Sequence, residues 1–510
     1  MRKFKMVGKM AAAFVMLFVM TAVVAAQSGL TGTGWYTTAV IQNVGTTNGT
    51  ISLEAFALTG GATGGGTAST PLNAGSAVTF RPDNPMAAGT VGIPGIASGS
   101  FQGSMVLSSD VEVVSVAFVN NAPLGTSLGV AGGKASAAYN GIPQGSTTLT
   151  YPAVKSGFNG RVTSFFIQAT GAAATVSVSV VANNGVTYTK SGIAIEANKS
   201  YVLLTSALMN GANAMPGSCS GSATSPTGAP CIGAMTLTST APVAGTVVEY
   251  PTVGAPATVA MSTNMFAASA AGTKLSCPTV KNRFPAAQLP ATGIAVQNVS
   301  GAAQDITVTI VTRLPVVATY TRVFPAVPNG ASVVASRGAG TLGGMPDGAV
   351  GAATITAAGN VIAIASETGD AAREGMYACM SSTTASTKVA APVSKFEFPS
   401  KTNAAAGNTG INVQNVGNAA TTITGAFNCR NTGGVFTNYS ISKPAAPGAS
   451  AAFSPFTDMG VGAGKVPTGS LCSAVFTATQ PVVAIANEST EGLPIAVRDS
   501  SVYEGFTLTP

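Results

Sequence analysis

The sequence has no histidine, one tryptophan and only 8% charged residues among its 510 positions. The missing histidine excludes Ser-His-Asp and Cys-His nucleophiles and every metal site built on imidazole. Aromatic residues make up 6% of the chain, which disfavours a stacking platform for sugars or an aromatic-lined pocket. Carboxylates are sparse as well, so we expect a protein that is not an enzyme.

The N-terminus has the pattern of a secretory signal peptide over residues 1–26. A basic start precedes an apolar stretch, and Val24-Ala25-Ala26 supplies the small residues of a cleavage site. The stretch is short for a membrane span, so we expect a mature chain from Gln27 without a membrane anchor, secreted to the cell surface or beyond. Cleavage lowers the formal net charge from +7 to +3. No basic cluster remains, so we expect no nucleic-acid partner.

Small and β-branched residues dominate the mature chain, a composition typical of closely packed strands. A strand-like block recurs four times, around Gln42, Gln168, Gln297 and Gln414, and each block leads into a strand of alternating polarity. We therefore predict an all-β fold of four tandem immunoglobulin-like antiparallel β-sandwich domains after a cleaved signal peptide. The predicted divisions are the signal peptide 1–26, repeat one 27–145, repeat two 146–272, repeat three 273–385, repeat four 386–502 and a C-terminal strand 503–510.

Repeat one is predicted to lack its first strand. In repeats two to four an extended segment ending at Pro152, Pro278 or Pro392 precedes the glutamine block. The same distances counted back from Gln42 fall at residues 20–26, inside the predicted signal peptide. Cleavage would therefore leave unpaired backbone at a sheet edge of repeat one.

The last eight residues resemble the segment that joins one repeat to the next. An aromatic residue closes each unit, at Tyr139, Phe266, Tyr377 and Tyr503, and an extended segment follows it. We predict that the C-terminal segment is donated to repeat one of another subunit, which gives a linear polymer. The alternative is that it completes repeat four, while repeat one uses residues 30–35. The candidate donor residues are Tyr503, Phe506, Leu508 and Pro510, and the candidate acceptor residues are Leu30, Trp35 and Tyr36.

Six cysteines fit an exported protein. Only one of the fifteen possible pairings keeps every bridge within one repeat. It joins Cys219 to Cys231, Cys277 to Cys379 and Cys429 to Cys472.

Acidic residues cluster near the ends of repeats three and four. Carboxylate oxygens at such inter-domain loops suit calcium, although a solvated loop has the same composition. We favour the solvated loop and expect no cofactor. The residues concerned are Glu367, Asp370, Glu374, Glu488 and Glu491.

The tandem layout and the export signal resemble bacterial extracellular filament, adhesin and surface-layer proteins built from immunoglobulin-like repeats. The resemblance implies a structural subunit of an extracellular filament or pilus-like fibre. Its partner would be itself, as a linear homopolymer, with other cell-surface components as further partners. The alternative is a cell-surface adhesin or surface-layer protein that uses the repeats as a stalk.

Overall fold

The fold is all-β, as predicted. Strands make up most of the described chain, beside one 3-10 turn at Ala268–Ala270 and one short helix, α1 (Pro455–Asp458). No helix among the described residues has the length and apolarity to cross a membrane. The computed structural model describes residues 14–20, 35–60, 65–80, 90–93, 96, 101–121, 135–158, 160–183, 185–204, 231–251, 260–284, 290–336, 344–369, 374–399, 406–431, 433–460, 462, 464–491 and 500–508.

We describe the strands in four groups, of which the first forms two sheets and each of the others forms one continuous sheet. The first group is β1 (Phe14–Met20), β2 (Trp35–Asn43), β3 (Gly49–Ala57), β4 (Gly65–Leu72), β5 (Ala77–Phe80), β6 (Thr90–Val91), β7 (Gly103–Ser109), β8 (Val113–Asn121) and β9 (Ala135–Asn140). The second is β10 (Ser146–Phe158), β11 (Arg161–Ala169), β12 (Ala174–Ala182), β13 (Thr187–Ile195), β14 (Ser200–Leu204), β15 (Cys231–Pro251), β16 (Met261–Asn264) and β17 (Phe266–Ala267). The third is β18 (Gly272–Asn282), β19 (Ala291–Asn298), β20 (Gln304–Leu314), β21 (Thr319–Val327), β22 (Ser332–Ala335), β23 (Ala349–Thr368), β24 (Gly375–Ala378) and β25 (Met380–Ser381). The fourth is β26 (Ser386–Phe396), β27 (Phe398–Pro399), β28 (Ala406–Asn415), β29 (Thr421–Arg430), β30 (Phe436–Ala445), β31 (Ser450–Phe453), β32 (Ser470–Glu491), β33 (Ser500–Glu504) and β34 (Phe506–Thr507).

Alternating strands bury one face. In β12 the side chains of Val176, Val178 and Val180 are buried, and the residues between them are exposed or half-buried. The same period of two runs through β3, β20 and β29. Successive side chains of a strand point to opposite faces, so this pattern places the four predicted alternating strands on the cores of their repeats.

Each repeat contains two sheets that share one long strand. In repeat two the first half of β15 pairs with β12 and β10, and its second half pairs with β11 and β16. The first sheet has the order β13-β12-β15-β10-β17, and the second has the order β14-β11-β15-β16. Repeats three and four repeat these orders around β23 and β32.

Repeat one has the same arrangement with one difference. Its long strand is divided into β7 and β8, so its two sheets are separate. The first sheet has the order β1-β7-β3-β4, and the second has the order β6-β5-β2-β8-β9. Strand β1 therefore takes the edge position that β10, β18 and β26 take in the other repeats; we call these four the leading strands.

The four repeats pack in a closed ring. We call the strand that ends each second sheet the trailing strand; these strands are β9, β16, β24 and β33. Each trailing strand packs against the trailing strands of the repeats before and after it. Strand β9 contacts β16 and β33, and β24 contacts the same two strands. Each leading strand also packs on the second sheet of the following repeat, and β26 of repeat four packs on β2 and β8 of repeat one. The ring therefore closes between the last repeat and the first.

Hydrogen bonds join the trailing strands around the ring axis. Ser262 Oγ donates to the carbonyl oxygen of Ala138 at 2.7 Å, and Asn264 Nδ2 donates to that of Asn140 at 2.8 Å. Asn140 Nδ2 in turn donates to the carbonyl oxygen of Glu504 at 2.9 Å. The last bond links repeat one to repeat four, so residues 364 positions apart in the sequence meet at the axis.

Two of the three predicted disulfides are confirmed. Cys277 is bonded to Cys379 in repeat three, and Cys429 is bonded to Cys472 in repeat four. Cys219 lies outside the described residues, so the third predicted bridge, to Cys231, stays a prediction. The two bridges are compatible with a secreted protein, because disulfides persist in oxidising compartments.

Candidate assembly site at the edge of repeat one

The leading strands of repeats two to four bulge at their proline. The pairing of β10 with β15 shifts register between Tyr151 and Val154, on either side of Pro152. Strands β18 and β26 shift at the equivalent place, beside Pro278 and Pro392. Proline cannot donate to a ladder, so a bulge is where a strand tolerates it.

A tyrosine from the trailing strand holds the bulge in repeats three and four. The Tyr503 hydroxyl donates to the carbonyl oxygen of Val393 and accepts from its amide at 3.1 Å. Tyr377 makes the same two contacts with Thr279. Both hydroxyls are fully buried, which raises their pKa above the ordinary value and keeps them neutral donors.

A threonine at the start of each glutamine block holds the strand three residues after its proline. The amide of Lys155 donates to Thr163 Oγ1 at 2.9 Å, and that of Lys281 donates to Thr292 Oγ1 at 2.9 Å. The amide of Lys395 donates to Thr409 Oγ1 at 3.0 Å. The register of the leading strand is therefore set by one side chain of the second sheet in each of these repeats.

The same three lysines form ion pairs, which are buried in repeat two and half-buried in repeats three and four. Lys155 Nζ lies 2.5 Å from Glu249, and Lys281 Nζ lies 2.6 Å from Glu367. Lys395 pairs with Glu488 in the same way. Each glutamate stands on the long strand opposite the threonine of the glutamine block. Each of repeats two to four thus pairs a lysine on its leading strand with a carboxylate inside the repeat.

Repeat one keeps two of these three features and lacks the carboxylate. Thr37 stands at the threonine position, and Tyr139 stands on β9 at the tyrosine position. The residue opposite Thr37 is Val119, which is only 2% exposed. The site that receives a leading strand is therefore built in repeat one, but its ion-pair position is apolar.

The leading-strand position of repeat one is filled by residues of the predicted signal peptide. Strand β1 pairs antiparallel with β7 in one unbroken register, from Phe14 opposite Ser109 to Met20 opposite Gly103. The strand lies closer to the N-terminus than the interval 20–26 obtained by counting back from Gln42. Unlike the other leading strands, β1 has no bulge.

The C-terminal segment lies within its own chain. Phe506 pairs with Ala390 and Thr507 with Val389, on the free edge of β26. Strands β17 and β25 pair in the same way with the leading strands of repeats two and three. The segment thus corresponds to these closing strands, and the expected match with residues 149–152 of a leading strand is not reproduced.

The other predicted donor residues lie beside this closing strand. The amide of Leu508 donates to the carbonyl oxygen of Lys388 at 2.9 Å, and its buried side chain joins the core cluster that contains Ala117. Tyr503 belongs to β33 and holds the bulge described above. Pro510 lies outside the described residues. These contacts give the segment a place at the seam between repeats four and one.

The predicted acceptor residues lie on the second sheet of repeat one. Trp35 and Tyr36 begin β2 and pair with Asn121 and Asn120 of β8. Leu30 lies outside the described residues. The edge that receives a leading strand is instead β7, in the first sheet. Trp35 and Tyr36 therefore do not lie on the edge that pairs with β1, and their role as acceptor residues stays a prediction.

One predicted junction aromatic is wrong. The trailing-strand position of Tyr139, Tyr377 and Tyr503 is taken in repeat two by Thr263, which pairs with Val247. Phe266 lies three residues further on, in the closing strand. The sequence did contain signals for the contacts that were missed. A lysine follows each proline by three residues, and a threonine opens each glutamine block.

The acidic clusters are divided by the structure. Glu367 and Glu488 pair with lysines, and Glu374 pairs with Arg161 of repeat two. Asp370 lies outside the described residues, and nothing is described of the Glu491 side chain. No group of three or more acidic, histidine or cysteine side chains suited to a metal occurs among the described residues. The expectation of no cofactor stays a prediction.

A cavity of about 510 Å³ separates repeats three and four, and Glu367, Glu488 and Asn412 line it. Each of these residues has a buried side-chain oxygen without a hydrogen-bond partner in the protein. The cavity can therefore accept hydrogen bonds from water or a small solute. Arg313 lines it too, and burial lowers the pKa of this guanidinium to about 10.

A search against models of known protein families found no match, and a search of curated proteins found no similar sequence.

Proposed function

We propose that the mature protein is a structural subunit of an extracellular filament or pilus-like fibre. In this fibre the first sheet of repeat one is completed by a strand from another copy, for which the C-terminal segment is the candidate donor. One observation carries the proposal: the edge of β7 that needs a leading strand pairs with residues 14–20, inside the predicted signal peptide.

Loss of β1 leaves an edge that favours association. Seven residues of β7, Gly103–Ser109, lose their partner strand, and their amides and carbonyls become a template for another strand. The core beneath this edge includes the buried side chains of Met105 and Leu107. An incoming strand satisfies the backbone and covers this core, which is the mode of binding known as β-augmentation.

The geometry favours a fibre over a closed dimer. The acceptor edge is in repeat one, where β1 packs against β11 of repeat two, and the C-terminal segment lies at the seam between repeats four and one. Donor and acceptor are therefore different surfaces, and heterologous contacts of this kind propagate unless the rotation closes them. The ring packing gives no extended stalk, so we favour a filament subunit over an adhesin or surface-layer stalk.

The first test is electron microscopy of the purified chain 27–510, for which we expect fibres. In a matched chain, residues 1–20 are replaced by a copy of the leading strand of repeat four, residues 386–396, with Lys395→Met so that no charge faces the apolar Val119. The grafted strand should fill the edge of β7 in its own chain, so this protein should remain monomeric. Equal fibre formation by both chains would show that the edge is not the assembly site.

The control graft carries Val389→Asp and Ala391→Asp, which place charges where these residues are buried in repeat four. It should leave fibre formation intact. Intact-mass measurement of the exported protein should give a chain that begins at Gln27. An exported protein that retains residues 14–20 would contradict the proposal, because its edge would already be filled.

Deletion of residues 506–510 tests the donor separately and spares Tyr503. If the C-terminal segment is the donor, this deletion abolishes fibres. Unchanged fibres would refute C-terminal donation and leave the acceptor edge in place.

A further inference from the structure

The specificity of the acceptor edge can be inferred from one replacement in repeat one. Glu249, Glu367 and Glu488 each pair with the lysine that follows the bulge of their leading strand. Val119 takes the place of this glutamate in repeat one, by its position opposite Thr37. A strand that brought lysine to this edge would bury its ammonium beside an apolar side chain, at a large cost in free energy.

We propose that Val119 makes repeat one select a completing strand, from a second copy of the chain, that has no lysine at the position facing it. This inference rests on the proposed function. It excludes the leading strands of repeats two to four as donors, because each carries a lysine three residues after its proline. The C-terminal segment 506–510 contains no lysine and so passes this selection.

The selection has a clear use in a chain of four similar repeats. Each molecule contains three strands, β10, β18 and β26, that fit this kind of edge by length and bulge. Exchange of any of them between molecules would give a branched or misassembled product. An unpaired buried charge raises the free energy of the complex with the wrong strand, so that strand is rejected.

The proposal also accounts for what repeat one retains. Thr37 and Tyr139 occupy the positions from which a threonine and a tyrosine hold the bulged backbone in repeat four. Backbone recognition is therefore common to the repeats, and the residue opposite the threonine discriminates between strands. Main-chain contacts supply affinity and a side-chain pocket supplies specificity.

The test is a cycle of four chains built on the grafted protein, so that fibre formation plays no part in the readout. The grafted strand carries either its own lysine, equivalent to Lys395, or the change Lys395→Met, and each is combined with Val119 or with Val119→Glu. Urea unfolding of the four chains is followed by circular dichroism. With Val119, we expect the methionine graft to raise the folding equilibrium constant at least about tenfold over the lysine graft.

With Val119→Glu the preference should reverse, because the buried carboxylate then has a lysine partner. A matched control, Lys388→Met in the graft, removes a lysine of the same strand that forms no ion pair with Glu488 and should change neither preference. If the lysine and methionine grafts are equally stable with both residues at position 119, the selection proposal is wrong, although the edge still binds a strand. If no graft stabilises the protein over the control with Val389→Asp and Ala391→Asp, the acceptor edge itself is refuted.

Discussion

The buried ion pair of repeat two allows a quantitative test of how the leading strands are held. Glu249 is fully buried, and Lys155 is 9% exposed, with 2.5 Å between their charged atoms. At an effective dielectric constant near 20, this distance gives a gross attraction of about 7 kcal/mol. Desolvation of both charges offsets most of it, so the net value of the pair is small. Removal of one partner is different, because the remaining charge stays buried without compensation.

We therefore expect Glu249→Val to destabilise the protein by about 3–5 kcal/mol beyond the loss of the Tyr151 hydrogen bond to this carboxylate. Adding Lys155→Met should recover most of the ion-pair loss, since the pair is then replaced by apolar groups, as Val119 replaces the glutamate in repeat one. The Tyr151 hydroxyl loses its acceptor in both variants, so its contribution cancels in the coupling energy of the double-mutant cycle.

Repeat four supplies the internal comparison. Lys395 is 26% exposed and Glu488 15% exposed, so water can solvate either charge when the other is removed. We expect a coupling energy of about 1–2 kcal/mol there, between the values for buried and surface pairs. Urea unfolding of the grafted, monomeric chain measures both cycles. A coupling energy below about 1 kcal/mol in repeat two would refute this account of the leading strands. So would a coupling energy in repeat four that is as large as the one in repeat two.

Three further predictions concern the ring axis, the bulge and the disulfides. Burial raises the pKa of Glu504, so the contribution of this side chain to stability should be highest below the ordinary glutamate pKa and should fall as pH rises toward the raised value. The Glu504→Gln variant should not show this fall. A difference in melting temperature between the wild-type protein and this variant that stays constant from pH 4 to pH 8 would contradict the prediction. Tyr377→Phe leaves the Thr279 backbone groups unpaired and should lower the free energy of unfolding by about 1–3 kcal/mol in urea. The control Tyr320→Phe, at a half-buried position, should lower it by less than about 0.5 kcal/mol. Equal losses in the two variants would argue against the bulge contact. Cys277→Ser opens a loop of 102 residues, and Cys429→Ser opens one of 43. By loop entropy alone, calorimetry should show losses of stability of about 4.7 and 4.0 kcal/mol, respectively. A larger loss of stability for the shorter loop would rule out entropy as the main cause.

The strand content and the repeats followed from local pattern. Alternating polarity predicted β3, β12, β20 and β29, because a strand that buries one face must place apolar side chains at every second position. Two cysteine pairs were predictable by counting, since only one pairing keeps each bridge inside a repeat. The vacancy expected in repeat one after cleavage stays a prediction, because β1 fills the leading-strand position in the structure.

Side-chain partners across the sheets were not predictable in this way. Lys155 and Glu249 are 94 residues apart, and their pairing depends on how β10 and β15 are set against each other. For the same reason the sequence did not predict that Trp35 and Tyr36 belong to a different sheet from β1. The closing role of Phe506 was hidden because a two-residue strand carries no periodic signal.

The sequence by itself determined the all-β fold, the alternating strands and two of the cysteine pairs, because these depend on local periodicity and spacing. Only the tertiary structure decided that the repeats close into a ring, that the C-terminal segment pairs with β26, and that Val119 stands opposite Thr37, where the other repeats have a glutamate. These features arise from contacts between residues far apart in the chain. Their geometry is set by how sheets pack, which no local pattern records.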